Sequence, residues 1–107
     1  MNDSEFHALA DHLYQLIEER IDECGVDIDY ETSGKVMTLE FENGSQMIIN
    51  RQEPLHQIWL AAKSGGFHFD YKEGRWIDNR NNRELSELMA QCCSEQAGEP
   101  VELGELS

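Results

Sequence analysis

Basic residues are scarce in this chain: eight lysines and arginines stand against 22 aspartates and glutamates in 107 residues, a formal net charge of -14. A surface so poor in positive charge excludes nucleic acid as the partner, because phosphate binding depends on lysine and arginine releasing counterions. Long apolar runs are missing too. No stretch of 18 apolar residues occurs, so no membrane span is expected, and the first residues lack the basic, then apolar, then small order of a signal or transit peptide. Both absences predict a cytoplasmic protein. Cysteine is confined to Cys24, Cys92 and Cys93, an odd set without a C-x-x-C pair; reduced thiols are expected, with Cys92 in a helix core. No Gly-rich phosphate loop occurs, and the histidines are scattered, His7 and His12 on the first predicted helix, His56 after Pro54 and His68 on a strand. A catalytic constellation is therefore not expected.

The acidic charge is concentrated. Residues 1–42 hold twelve acids against only Arg20 and Lys35, residues 43–93 balance six acids with six bases, and residues 94–107 add four glutamates and no base. Such asymmetry points to cations or a basic protein surface as partners. The first segment predicts a helix capped by Asn2 or Asp3 and running to about Glu23. Phe6, Leu9, Leu13, Leu16, Ile17 and Arg20 share one stripe; Asp3, His7, Asp11, Glu18 and Asp22 share another, with Tyr14 among them. Like charges at Glu18 and Asp22 cost a few tenths of a kcal/mol where an ordinary solvent face would alternate signs. Asp3, His7 and Asp11 stand at i, i+4 and i+8, a spacing at which three ligands can share a divalent ion.

After Gly25, Asp27-Ile28-Asp29-Tyr30-Glu31 alternates acid and apolar residues as a strand with one carboxylate face. It is not a calcium loop, since the sixth position of an EF-hand loop requires glycine and Thr32 stands there. Val36 to Glu42 is a second strand, Asn43-Gly44 predicts a type I′ hairpin, and Gln46 to Gln52 is a third strand with Met47, Ile49 and Arg51 on one face. Pro54 breaks the ladder. Ile58 and Leu60 then oppose Gln57, Trp59 and Ala61, and after Ser64-Gly65-Gly66 the residues Phe67, Phe69 and Tyr71 oppose His68 and Asp70. Arg75 to Asp78 is a short last strand with Trp76 in the core. The polar loop Asn79 to Asn82 is placed to cap a second helix, in which Leu85, Leu88, Met89 and Cys92 repeat at helical spacing.

Helix, five to six hairpin-linked strands, helix is the order of an α+β two-layer sandwich: an antiparallel sheet with the N- and C-terminal helices packed on one face. Residues 1–97 read as one domain, and 98–107 as an acidic tail that is disordered or folds back over the helices. The other sheet face, with Asn50, Gln52, Gln57, Trp59, His68 and Asp70, is left open. Two readings of Trp59 stand: an aromatic partly covered by its neighbours, or an anchor for a partner, since tryptophan among amides is the composition of an interface hot spot. The acidic ridge also has two readings. Carboxylates with an occasional imidazole suit iron, manganese, calcium or magnesium held weakly with water completing each shell; alternatively the ridge is a solvated face that only confers solubility.

The runs Asn50-Arg-Gln-Glu-Pro-Leu-His-Gln-Ile-Trp-Leu60 and Gly65-Gly-Phe-His-Phe-Asp70 resemble the frataxins, specifically their bacterial members, and the likeness extends from Met1 to about Ala97. The resemblance implies an α/β sandwich that binds ferrous and ferric iron on an acidic ridge and acts in iron–sulfur cluster assembly with a cysteine desulfurase and its scaffold protein. By position it implies a ridge of Glu18, Glu19, Asp22, Glu23, Asp27, Asp29 and Glu31 and a partner face of Asn50, Gln52, Gln57 and Trp59. The chain departs from the bacterial pattern around Cys24-Gly25-Val26, where the helix–strand link has fewer acids. The expected role is that of a non-enzymatic, iron-responsive regulator, monomeric by default and open to iron-induced oligomers. A ferroxidase that stores ferric iron and an acidic interaction module without a metal role are the alternatives.

Overall fold

The asparagine at position 2 starts the first helix as the sequence predicts. In the computed structural model, which describes all residues 1–107, its side chain accepts from the Glu5 amide at 2.8 Å while Glu5 Oε1 accepts from the Asn2 amide at 3.1 Å. This reciprocal cap satisfies two otherwise orphaned donors of helix α1, Asp3–Glu23. Six strands follow: β1 Ile28–Ser33, β2 Val36–Phe41, β3 Gln46–Gln52, β4 Gln57–Ala62, β5 Gly65–Lys72 and β6 Arg75–Asp78, then helix α2 Leu85–Ala97. They form one antiparallel sheet in sequence order, so β1 and β6 are its edges. The architecture is the expected two-layer sandwich with both helices on one face. No helix is long and apolar enough to cross a membrane.

The period of two decides which residues reach the helices. Met37, Leu39 and Phe41 of β2, Met47 and Ile49 of β3, Ile58 and Leu60 of β4 and Phe69 of β5 are buried beneath α1 and α2, and their alternates face away. From α1 the core takes Phe6, Ala10, Leu13, Tyr14, Ile17 and Ile21, and from α2 Leu85, Leu88, Met89, Cys92 and Cys93. Tyr14 therefore belongs to the core and not to the acidic stripe. Its ring supports the Arg51 guanidinium 4.6 Å from the centroid, and its hydroxyl reaches the carbonyls of Lys35 and Ile49, so the polar tip is satisfied in place.

Two local expectations change, and the alternative left open for the C-terminal segment is decided. The β2–β3 connection is not a two-residue type I′ turn: Gly44 N–H donates to the Phe41 carbonyl, Phe41 N–H to Ser45, and only Gly44 has positive φ. Asn43 is held in an ordinary conformation because its side chain accepts from Ser45 N–H and donates to the Gln96 carbonyl at the end of α2. The Asn79–Asn82 loop does not cap α2. The cap position is Glu84, without a side-chain bond, because the buried Asp78 carboxylate gathers the amides of Arg80 and Asn81 and turns the chain first. The segment after Gly98 folds back: Val101, Leu103 and Leu106 are buried in the same core, pinned by Ser94, Arg20 and Ser86 respectively.

Candidate metal and partner sites

Helix α1 crosses the sheet so that its two halves meet different chemistry. Its first half lies over β3 and the 3-10 turn Glu53–Leu55, which carry bases as well as an acid. Arg51 donates to Asp11 Oδ1 at 2.8 Å, His56 Nε2 lies 2.7 Å from Asp3 Oδ1, and His7 Nε2 lies 2.5 Å from Glu53 Oε2, which Lys35 also approaches at 3.3 Å. Asp3, His7 and Asp11 thus do not converge on a common point, contrary to the expectation from their spacing. Asp3 turns to His56, His7 to Glu53 and Asp11 to Arg51. An Arg51 guanidinium nitrogen also lies 3.3 Å from His7 Nδ1. A guanidinium can only donate, so Nδ1 accepts and the imidazole proton sits on Nε2, directed at Glu53. The His7 hydrogen bond, then Lys35, holds the Glu53 carboxyl below the usual glutamate range.

The second half of α1 meets β1, and its one base, Arg20, is turned away to the Leu103 carbonyl. Thr32 Oγ1 donates to Glu18 at 3.0 Å and the Tyr30 hydroxyl donates to Asp22 at 2.9 Å. That bond to a carboxylate is the main reason the Tyr30 phenol is pushed up from its ordinary value. Glu19, Glu23, Asp27, Asp29 and Glu31 are exposed. The ion pairs of the molecule all lie elsewhere, on Asp3, Asp11, Glu53, Glu84 and Glu87. No three histidine, cysteine, aspartate or glutamate side chains stand close enough to hold a metal ion together. What the arrangement offers chemically is a row of hydrated oxygen donors with excess negative charge, suited to several loosely held hard cations and unsuited to one dehydrated ion.

The seven carboxylates of the ridge do not share one surface. Ile28 is buried and Tyr30 and Thr32 bond to α1, so the even residues of β1 face the helices and the odd ones face away. Asp29 and Glu31 consequently lie on the open face of the sheet, where Asp29 pairs with Glu40 in register and both line a shallow groove of about 520 Å³ with Val36, Thr38 and Gln46. Glu40 is an acid the ridge assignment leaves out, although the alternation of β2 already places it on that face.

Across the same face, Trp59 is half-buried in a fixed pose. Its indole N–H donates to Gln57 Oε1 at 2.8 Å, Gln57 Nε2 donates to Asp70 Oδ1 at 3.0 Å, and the His68 ring stacks on the indole with 4.1 Å between centroids and 9° between planes. Asn50 is the register partner of Trp59 on β3, and Gln52 that of Gln57. The four predicted partner residues come together, and His68 and Asp70 join them as the groups that set the indole.

Antiparallel strands in sequence order, both helices on one side, an acid-rich first helix and edge strand and an open amide-and-tryptophan face define a small acidic sandwich protein built to present surfaces. Residues 1–99 match the model of the frataxin-like domain. The iron-sulfur cluster assembly protein CyaY of Tolumonas auensis is 60% identical over 104 residues, covering 97% of this chain and 100% of that one. The protein of the same name from Vibrio vulnificus is 59% identical over 102 residues, covering 95% and 98%. Among solved structures, the frataxin of Psychromonas ingrahamii superposes with a TM-score of 0.91 at 51% identity, over 98% of this chain and 100% of that one. A trimeric frataxin from the yeast Saccharomyces cerevisiae, solved as a ferrous complex, gives 0.68 at 32% identity over 92% and 88%. The chain belongs to the frataxin family.

Proposed function

We propose that the chain is an iron-binding accessory protein of iron–sulfur cluster assembly, working in the cytoplasm without enzymatic turnover of its own. In this reading ferrous or ferric iron is cargo and signal, held on Glu18, Glu19, Asp22, Glu23, Asp27, Asp29 and Glu31 with water completing each shell. The same negative surface attracts a basic patch of a cysteine desulfurase, and the face around Asn50, Gln52, Gln57 and Trp59 engages the scaffold protein, so that iron occupancy tunes the output of their complex. One observation carries the reading: the carboxylates from position 18 to 31 have no basic partner, whereas Asp3 and Asp11 on the first half of α1 are paired with His56 and Arg51. Leaving repulsion uncompensated there is what a cation or a basic surface would relieve. The names of the relatives supply the pathway.

The test is a titration with ferrous iron under anaerobic conditions, followed by amide chemical shifts. Perturbations centred on residues 18 to 31 are expected, with affinity falling as salt is raised. Shifts centred on His56, His68 or the cysteines would sink the ridge assignment. Oxygen uptake well beyond the binding stoichiometry would instead make the protein a ferroxidase.

A further inference from the structure

We infer that Asn43 is a modification site: with water as the only co-reactant, its side-chain amide is lost to give aspartate and isoaspartate, at a rate set by opening of the end of α2.

Among the asparagines of the chain, only Asn43 precedes a glycine. An asparagine loses its amide when the backbone nitrogen of the next residue closes on its Cγ, and a side chain on that next residue stands in the way. Gly44 has none. It sits at φ +87°, a conformation that strains other residues, and nothing lies within 4 Å of the place a Cβ would occupy. Both residues are exposed, in the turn between the end of β2 at Phe41 and the start of β3 at Gln46. The steps balance without oxidant or metal. The Gly44 nitrogen gives up its proton and bonds to Cγ, the Cγ–Nδ2 bond breaks, and ammonia leaves with that proton. Water then opens the imide ring. Attack at Cγ yields aspartate, and attack at the Asn43 main-chain carbonyl yields isoaspartate, in which the backbone runs through the former side chain.

The folded turn holds the reacting atoms back. Gly44 N–H donates to the Phe41 carbonyl at 2.9 Å, Asn43 Oδ1 accepts from Ser45 N–H at 2.9 Å, and Asn43 Nδ2 donates to the Gln96 carbonyl at 2.7 Å. Ring closure requires the Gly44 nitrogen to leave Phe41 and the asparagine side chain to leave Gln96. Gln96 is the next-to-last residue of α2, and its own buried side chain ties that helix end to Ser45 Oγ, the Gln46 carbonyl and the Lys63 amide. Helix ends are where native structure opens most readily, so fraying there releases Asn43. The ties of Gln96 are the gate.

The product cannot rebuild the turn. A carboxylate has no N–H for the Gln96 carbonyl, which lies at the negative end of the α2 dipole. The new charge also enters a cleft of about 380 Å³ that Asp27, Glu42 and Glu99 already line. One hydrogen bond becomes a repulsion, and the end of α2 stays loosened once the amide is gone.

The full chain, held at mildly alkaline pH both natively and in guanidinium, tests this by peptide mapping with mass spectrometry and chromatographic separation of aspartate from isoaspartate. Asn43 should be the first asparagine converted in both samples, roughly tenfold or more slowly in the native protein. Gln96→Ala cuts the side-chain ties and keeps the main-chain acceptor, so its native rate should move toward the denatured one, with a melting curve confirming that it is folded. Asn43→Asp and Asn43→Ala read the consequence without that variant: the aspartate should melt below the alanine at low salt. Native conversion as fast as the denatured, or a folded Gln96→Ala protein reacting at the wild-type rate, would overturn the gate. Another asparagine converting ahead of Asn43 would overturn the site, and an Asn43→Asp protein melting level with or above Asn43→Ala would overturn the repulsion.

Discussion

The guanidinium of Arg20 donates to the carbonyl of Leu103 at 2.5 Å, across 83 positions of sequence. It explains why an arginine interrupts the apolar stripe of α1: the charge fastens the returning C-terminal segment over Val101, Leu103 and Leu106. Gly104, next in line, has φ +66°, and a Cβ there would lie 2.5 Å from the same guanidinium. Leu106→Ala is expected to cost about 2–4 kcal/mol through lost burial and a residual cavity, and Arg20→Met about 1–3 kcal/mol by leaving the carbonyl unpaired. Denaturant midpoints measure both. Iron-induced shifts at residues 18 to 31 should be retained, and their loss in the folded Leu106→Ala protein would contradict a purely structural role for the tail.

Repulsion along the second half of α1 predicts a response to ions. Glu18 and Asp22, and Glu19 and Glu23, are like-charged pairs at i, i+4, each costing a few tenths of a kcal/mol. Salt screens them, and a divalent ion bound only to the folded chain stabilises by mass action. The melting temperature should rise between low and moderate salt and rise again with millimolar divalent ion. Glu19→Gln should reduce the salt increment; an identical increment would place the repulsion elsewhere.

Glu53 gives the pH dependence a sign. Its folded carboxyl is held low by His7 first and Lys35 second, so the linked stability is fully present above the usual glutamate range and disappears as pH falls through the depressed folded value. Glu53→Gln should therefore be less stable than wild type at neutral pH, with the gap closing in acid. A gap that is constant from neutral pH to about pH 3 would show that packing, and not the charge, is what Glu53 contributes. His7→Gln should shrink the same acid limb while leaving the ridge untouched.

Alternation along β2 to β5 made the two faces of the sheet legible, and the face of Trp59 with them, because a period of two depends on nothing beyond the strand itself. Residue pairing between elements was not legible. Alternation puts Arg51 with Met47 and Ile49 on the apolar side, but its reason lies in Tyr14, Asp11 and His7 of α1, which only the helix–sheet crossing brings near. The same crossing decides that Tyr14 is core, that Asp3, His7 and Asp11 point to three partners, and that the acids of β1 are divided from those of α1 by the strand between them. Asn43-Gly44 misled because the hairpin signal assumes a free Asn side chain, and here it is tied to Gln96.

The cysteines should differ in reactivity by burial. Cys93 is fully enclosed beside Met47, and burial pushes its thiol up to about 12; burial also raises Cys92. Cys24, half-exposed at the end of α1, is the accessible one. Iodoacetamide at neutral pH should modify Cys24 alone in the native protein and all three after unfolding, as read by mass spectrometry. Rapid native labelling of Cys93 would mean that α2 opens locally far more often than its packing implies.

The ridge and the tryptophan should separate kinetically in partner binding. Glu19 and Glu23 are exposed and unbonded, so Glu19→Lys with Glu23→Lys changes the field without disturbing the Thr32 and Tyr30 contacts of Glu18 and Asp22. Attraction between an acidic and a basic surface acts before contact, so this double variant should slow association with the desulfurase and flatten its salt dependence, leaving dissociation nearly unchanged. Trp59 acts only at contact. Truncating it to alanine removes an indole already fixed by Gln57 and His68, and a hot spot of about 2 kcal/mol corresponds to roughly 30-fold faster dissociation from the complex with scaffold. Its salt dependence and iron-induced shifts should stay those of wild type. Stopped-flow or biosensor traces with and without scaffold distinguish the cases: if Trp59→Ala slowed association as much as the charge reversal does, the open face would be part of the steering surface and not an anchor.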